Sequence, residues 1–332
     1  MRILFVTHLY HPARGGAEGY VRRLAEALAA RGHAVRVVTS DAYSTEAFFL
    51  RDRRRIPAER ETIAGVEIER LPSFRFGRRS LNLLNRVLSR LRLPWGGRLR
   101  SLAWGPRNPS FLRRIDAAAA EVIVACPLPT YNVYYAWRAA QRLRRPLVVI
   151  PCYHRCDPGS FANPLFFRIM RSAAAVIALT SGERDFLAAQ GGVVPERLAV
   201  LPPLPLSQGD LTEPGPDGGK GAARRRLGLA DGRWILFIGQ HGVHKKIDCL
   251  LKAMPAVWRD CPTARLLIAG GTTTATPELK ALAAGLSGGE AGRVLFRDDF
   301  AADQKGDLYA AADVFVSLSE HESFGIVLVE AM

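Results

Sequence analysis

Two carboxylates, Glu322 and Glu330, bracket a Ser323-Phe324-Gly325 turn and a short apolar run, Ile326 to Val329. Carboxylates held this way accept hydrogen bonds from hydroxyl groups. The backbone N–H groups of the turn would face an anion with a helix dipole behind them. A nucleotide sugar presents both kinds of group, hydroxyls that need fixed acceptors and a diphosphate that needs donors. Standing alone, the segment is equally a glycine-started amphipathic helix with two solvated glutamates, so other polar clusters must be weighed with it.

Three further clusters stand at the ends of apolar runs, where a parallel sheet presents ligands. After Arg2–Thr7 come Gly15 and Gly16 at the start of a helical pattern, where paired glycines let backbone N–H groups approach a phosphate; a flexible loop is the alternative. No Gly-x-Gly-x-x-Gly occurs, which disfavours a dinucleotide dehydrogenase. After residues 147–151 come Cys152, His154 and Cys156. In an extended run these three would share a face, which admits zinc, but a nearby fourth ligand is missing. A His154 that hydrogen-bonds sugar hydroxyls in a crevice is preferred to zinc, and a core histidine bonded to backbone is the alternative. After residues 234–239 come Gln240, Lys245 and Lys246, where a lysine near a helix N-terminus can neutralise a diphosphate leaving group; a solvated lysine pair ranks second. The chain has no P-loop signature, so a kinase or NTPase is disfavoured. It also lacks Asp-x-Asp, one common way of holding a divalent metal on a diphosphate, and no metal ligands are assigned.

The elements that would carry these residues alternate as βαβ units. Strands are expected at 2–7, 34–39, 66–71, 121–125, 147–151, 175–179 and 198–201, and again at 234–239, 264–270, 293–296 and 314–318. The clearest helix is 17–30, where Val21, Leu24, Ala25 and Leu28 recur at helical spacing and Gly32 follows as a C-terminal cap. Further helices are expected around 247–258, 277–286 and 304–311. Between Pro202 and Gly221 proline and glycine dominate, which divides the chain into domains 1–205 and 206–332. The last helix has barely opened at Gly325 when the sequence stops at Met332, so a fragment with an incomplete second domain is expected.

These motifs together resemble retaining glycosyltransferases of the GT-B fold, in particular glycosyltransferase family 4. The resemblance rests on Gly15-Gly16-Ala17-Glu18, His154, Ala175 to Ser181, Gly239 to Asp248, and the Glu322-x7-Glu330 spacing after Ala312 to Ser319. It implies an α/β fold of two Rossmann-like parallel-sheet domains facing a cleft, with the donor mainly on the second domain and the acceptor mainly on the first. By position, Gly15 and Gly16 would approach the donor diphosphate, His154 would stand beside the transferred sugar, and Lys245 would contact the diphosphate. Gly239 and Gln240 belong to the same donor segment. Glu322 would address sugar hydroxyls, Ser323, Phe324 and Gly325 would offer backbone donors, and Glu330 would bind the ribose. The family usually has Arg where Gln240 stands and Gly where Lys246 stands; Lys246 could restore the missing charge. No cofactor is implied beyond the nucleotide-diphosphate sugar as donor, and the acceptor would be a glycan or lipid-linked acceptor. Epimerase or phosphorylase chemistry on the same fold, or a non-catalytic basic module binding sugar nucleotides or nucleic acid, are the competing readings.

Net charge is +15, and between Arg51 and Arg145 stand 21 Arg and no Lys against 7 Asp plus Glu, which accounts for nearly all of it. Within this region, residues 78–93 place Leu81, Leu84, Leu88 and Leu91 on one helical stripe, with Trp95 after them. Such a helix could lie on an anionic membrane surface through Arg78, Arg79, Arg86 and Arg90, or pack on its own domain with a solvated basic face. No recognition motif points to nucleic acid. The apolar start, Ile3 to Val6, is too short for a secretory signal, and no run reaches the ~18 residues of a membrane span. The five cysteines Cys126, Cys152, Cys156, Cys249 and Cys261 form no paired framework. A cytoplasmic protein, peripheral on the inner face of the membrane and serving cell-envelope polysaccharide or glycolipid synthesis, is expected.

Overall fold

A computed structural model of the chain describes residues 1–13, 15–48, 54–74, 96–203, 219–286 and 293–332. They form two compact units, Met1–Pro203 and Leu204–Met332. The leucine- and arginine-rich segment proposed to meet a membrane, with Arg78, Arg79, Arg86 and Arg90, lies outside the described residues.

The strands of the first unit are β1 (Arg2–Thr7), β2 (Ala34–Ser40), β3 (Arg60–Ile63), β4 (Val66–Leu71), β5 (Val122–Cys126), β6 (Leu147–Val149), β7 (Ala175–Ala178) and β8 (Leu198–Val200). Among the described residues they make one sheet in the order β3-β4-β2-β1-β5-β6-β7-β8. Every neighbouring pair is parallel except β3 with β4. β1 and β5 are covered on both faces, which is why they read as nearly continuous apolar runs. Leu4, Val6, Ile123, Ala125, Val149 and Val176 share a core with Phe111, Ile115 and Phe166. The helix Gly16–Ala30 closes as its spacing predicts: Gly32 donates to the Ala29 carbonyl and His33 to the Leu28 carbonyl, a Schellman pair of bonds. From β1 the sheet is built outward through β2 and β4, and the chain then returns to the other side of β1 as β5. The switch point between β1 and β5 is where an open α/β sheet leaves a crevice at its C-terminal strand ends.

In the second unit, β9 (Arg233–Ile238), β10 (Ala264–Gly270), β11 (Val294–Asp298) and β12 (Val314–Phe315) alternate with helices Ile247–Asp260, Thr276–Leu286 and Lys305–Ala311, and helix Ile326–Ala331 follows. The sheet order is β11-β10-β9-β12, all parallel, so the switch point lies between β9 and β12. Phe237, Leu251, Met254, Leu266 and Ile268 pack in one core, and Trp234, Leu236, Leu267, Leu308 and Ala311 in another. Both units are therefore Rossmann-like α/β domains. The strand expected to run to Leu318 pairs only over Val314–Phe315. Val316 still donates to the Leu236 carbonyl, after which the chain leaves the sheet toward Glu320 and Glu322.

Candidate functional site

In the second unit the sequence-predicted residues gather at the β9/β12 switch point. Gly239 directly follows β9, and a side chain there would meet the Phe237 ring at 3.2 Å and the Lys245 Cε at 3.9 Å. Lys245 ends a one-turn 3-10 helix, Val243–Lys245, and its ammonium is ion-paired with the Glu322 carboxylate in the loop after β12. Two more contacts tie these loops: Glu320 donates its N–H to the His244 carbonyl at 2.9 Å, and the His244 and His321 rings stack at 5.4 Å. Burial would push the Glu322 carboxyl up. The Lys245 charge and its hydrogen bond, with one from Ser319, more than offset this and hold the carboxyl below the usual range. Burial and then the Lys245 charge keep His244 below the ordinary imidazole range. An ionised carboxylate here can accept hydroxyl hydrogen bonds, and the ammonium can neutralise an arriving anion.

Gly325 closes the turn after Glu322 at φ 78°, in the left-handed region where glycine alone is unstrained, and a Cβ would stand 3.1 Å from Leu328 Cδ1. Ser323 and Phe324 within the turn are half-buried, and Gln240 after β9 is exposed. Glu330 stands apart from the Lys245–Glu322 pair in its bonding. Its Oε2 accepts from Tyr309 at 2.9 Å and is ion-paired with Lys305, while Oε1 is buried with no hydrogen-bond partner. Lys246 adopts φ 53° as the residue preceding helix Ile247–Asp260, and its ammonium is ion-paired with Glu320 at 3.1 Å. That left-handed backbone explains why the resembled family prefers glycine at this position.

In the first unit, Gly15 and Gly16 follow β1 at the N-terminus of helix Gly16–Ala30, and His154 follows β6, two strands away along the same C-terminal edge. A Cβ on Gly15 would lie 2.1 Å from Glu18 Oε2, whereas one on Gly16 would meet nothing within 4 Å. Gly16 is thus the exposed backbone, and Gly15 is where the loop lies against Glu18. The His154 ring is half-buried and makes an edge contact with Phe161, with centroids 4.9 Å apart. The extended run that would align Cys152, His154 and Cys156 is not formed. Cys152 turns at φ 48° and is buried with its Sγ 3.8 Å from Cys126 Sγ, while Cys156 is exposed. Among the described residues no group of three or more His, Cys, Asp or Glu side chains is arranged to hold a metal.

Three buried titratable residues near these loops were given no role from sequence. His8 Nε2 lies 3.3 Å from Glu18 Oε1, and both side chains are buried. Desolvation holds His8 down to about 3 and pushes Glu18 up. Glu183 in helix Ser181–Ala189 accepts from the backbone N–H groups of Tyr153 and Leu179. Burial pushes it up to about 7 against the pull of those two bonds. Position within Gly-Gly-Ala-Glu could have drawn attention to Glu18, and the Thr180-x-x-Glu183 capping spacing to Glu183.

The first unit matches the glycosyl transferase 4-like domain over residues 15–203, and the second matches glycosyl transferases group 1 over residues 232–332. The chain belongs to the glycosyl transferase 4-like family. Over 181 residues it is 35% identical to the D-inositol 3-phosphate glycosyltransferase of Streptomyces coelicolor, an alignment covering 49% of this chain and 39% of that protein. The chain thus spans about two-fifths of the length of the curated relative it matches. Among solved structures, HepE of Anabaena, in complex with UDP and glucose, superposes with a TM-score of 0.64 at 20% identity, covering 100% of this chain and 78% of that one. Sucrose-phosphate synthase of Thermosynechococcus elongatus gives 0.66 at 19%, covering 99% and 78%. At these identities the likeness is one of fold, that of the GT-B glycosyltransferases.

Proposed function

We propose that the chain carries the catalytic machinery of a glycosyltransferase that moves a sugar from a nucleotide-diphosphate sugar to a glycan or lipid-linked acceptor. In this reading the sugar is transferred with net retention and without a bound metal. The observation that carries it is the Lys245–Glu322 ion pair at the β9/β12 switch point, where a cation and a hydroxyl acceptor stand beside glycine backbone. Lys245 would neutralise the diphosphate as it gains charge in the transition state, with Gln240 and the Ser323–Gly325 backbone as further donors. Glu322 would hold the hydroxyls of the transferred sugar, and Glu330 the ribose. In the first unit, Gly15 and Gly16 would approach the diphosphate and His154 would face the sugar. The UDP and glucose in the HepE complex support a nucleotide-sugar donor. A cytoplasmic enzyme of cell-envelope synthesis is part of the same proposal, and the arginine-rich sequence supports its placement at a membrane surface.

The test is a thermal-stability screen of the chain against UDP-, GDP- and ADP-sugars, followed by product analysis with candidate acceptors. Stabilisation by one nucleotide class, with nucleoside diphosphate released in step with glycosylated acceptor, is expected. Stabilisation by none of the three would sink the donor assignment.

A further inference from the structure

Glu183 is 3% exposed, and both oxygens of its carboxylate are taken by backbone N–H groups. Its Oε1 accepts from the Tyr153 N–H at 2.7 Å and its Oε2 from the Leu179 N–H at 2.6 Å. Tyr153 immediately precedes His154 in the loop after β6, and Leu179 immediately follows β7. Thr180 caps the same helix by accepting the Glu183 N–H at 3.0 Å, which fixes the stem of the side chain. A buried carboxylate that bonds two backbone donors from two loops is a clamp, and charge-assisted bonds of this kind are the strong ones.

We infer that Glu183 is a positioning residue for transfer, holding the loop that carries His154 against the end of β7 and so fixing where the imidazole stands. The inference rests on the reading that His154 faces the transferred sugar. Only the ionised carboxylate accepts both N–H groups freely, because a proton on either oxygen makes that oxygen a donor facing a donor. The titratable groups around the clamp are Tyr20 of helix Gly16–Ala30 and Cys126 at the end of β5, with Cys152 against Cys126; Arg155 lies over the Phe186 ring, 5.7 Å from its centroid. Burial places the Glu183 carboxyl at about 7, so the clamp loosens as pH falls through neutrality.

Nuclear magnetic resonance on the unaltered chain, labelled at Tyr, Leu and His, tests the clamp without any ligand. The Tyr153 and Leu179 amide protons and the His154 ring are expected to move with one shared midpoint near 7. That shared midpoint should vanish from all three in Glu183→Gln. Flat amide shifts between about pH 5.5 and 8.5 overturn the inference, and this measurement decides alone if the variant does not fold. Turnover is then compared using the nucleotide sugar that stabilises the chain most. Glu183→Gln should lower kcat about tenfold or more, yet leave it within about twofold when added to His154→Ala, because a residue acting through another loses its effect with that partner gone. Additive losses overturn this inference alone. Wild-type turnover by His154→Ala overturns the His154 reading and this inference with it.

Discussion

Beside the end of β1 and along its edge of the sheet, the titratable groups are buried and pushed toward neutrality: His8 down to about 3, Glu183 up to about 7, and Glu18 upward, each chiefly by desolvation. Beside the end of β9 the groups are partly open to solvent and ionised in pairs, Lys245 with Glu322 and Lys246 with Glu320. The difference separates two tasks that a sugar transfer requires. A buried group bonded to backbone, as Glu183 is, holds loops still and is kept away from solvent. An ammonium held by a partly exposed carboxylate can exchange that partner for a phosphate oxygen at little desolvation cost. On the proposed reaction, charge stabilisation belongs to the second unit and positioning to the first.

Removing the charged pair should do the most damage. Lys245→Ala and Glu322→Gln are each expected to lower donor turnover by on the order of 10²- to 10³-fold, the range seen when one transition-state charge partner is lost. Denaturant unfolding should change by less than about 1 kcal/mol, because the pair is only partly buried. Initial rates of nucleoside diphosphate release decide the matter: two variants with wild-type rates would end the assignment.

The buried side of the comparison predicts a pH effect on stability instead. His8 has a folded pKa depressed to about 3 against an ordinary 6.5, so its contribution to stability is present above 6.5 and lost as pH falls toward 3. Between pH 7 and 5 the loss is about 2 kcal/mol. The difference in unfolding free energy between the unaltered chain and His8→Gln should therefore narrow by that amount over this interval. A difference that stays constant would show that His8 is already charged in the fold.

The glycines after β1 divide the two tasks within a single loop. Gly15→Ala places a methyl 2.1 Å from Glu18 Oε2 and should cost about 1–3 kcal/mol of stability by overpacking. Gly16→Ala meets no atom within 4 Å, so stability should hold within about 0.5 kcal/mol while donor KM rises several-fold. Paired measurements of melting and donor KM test this, and equal stability losses in both variants would contradict it.

The parallel framework was legible because strands covered on both faces are written almost wholly in apolar residues, as in Ile3 to Val6 and Leu266 to Ala269. β3 was not, since Arg60-Glu-Thr-Ile63 is an edge strand with little burial, and its pairing with β4 depends on a tertiary neighbour. β12 was read too long because Val316 is apolar and packs on the core after the ladder has ended, while Leu318, which prolongs the apolar pattern, is exposed. The residues proposed to meet the ligand could be named from type and spacing. The buried residues were harder to read: the capping spacing marks Glu183 as part of a helix start and not as a clamp, and His8 looks like any surface histidine until its surroundings are placed. Left-handed backbone at Lys246 was likewise hidden, since lysine gives no sign of it in sequence.

Lys246 offers the finest division of the charged side, because it is the residue that could restore the positive charge missing at Gln240. Its ammonium is ion-paired with Glu320 and its backbone stands at φ 53°. Replacing it by glycine removes left-handed strain of about 1 kcal/mol but adds back a similar amount of unfolded-chain freedom. The exposed ion pair is itself worth little. Lys246→Gly is therefore expected to unfold within about 0.5 kcal/mol of the unaltered chain. Donor KM should stay within about twofold if Lys245 alone meets the diphosphate. A tenfold rise in KM at unchanged stability would instead give Lys246 a share of that charge, and the second unit would then use two ammonium groups where the first uses none.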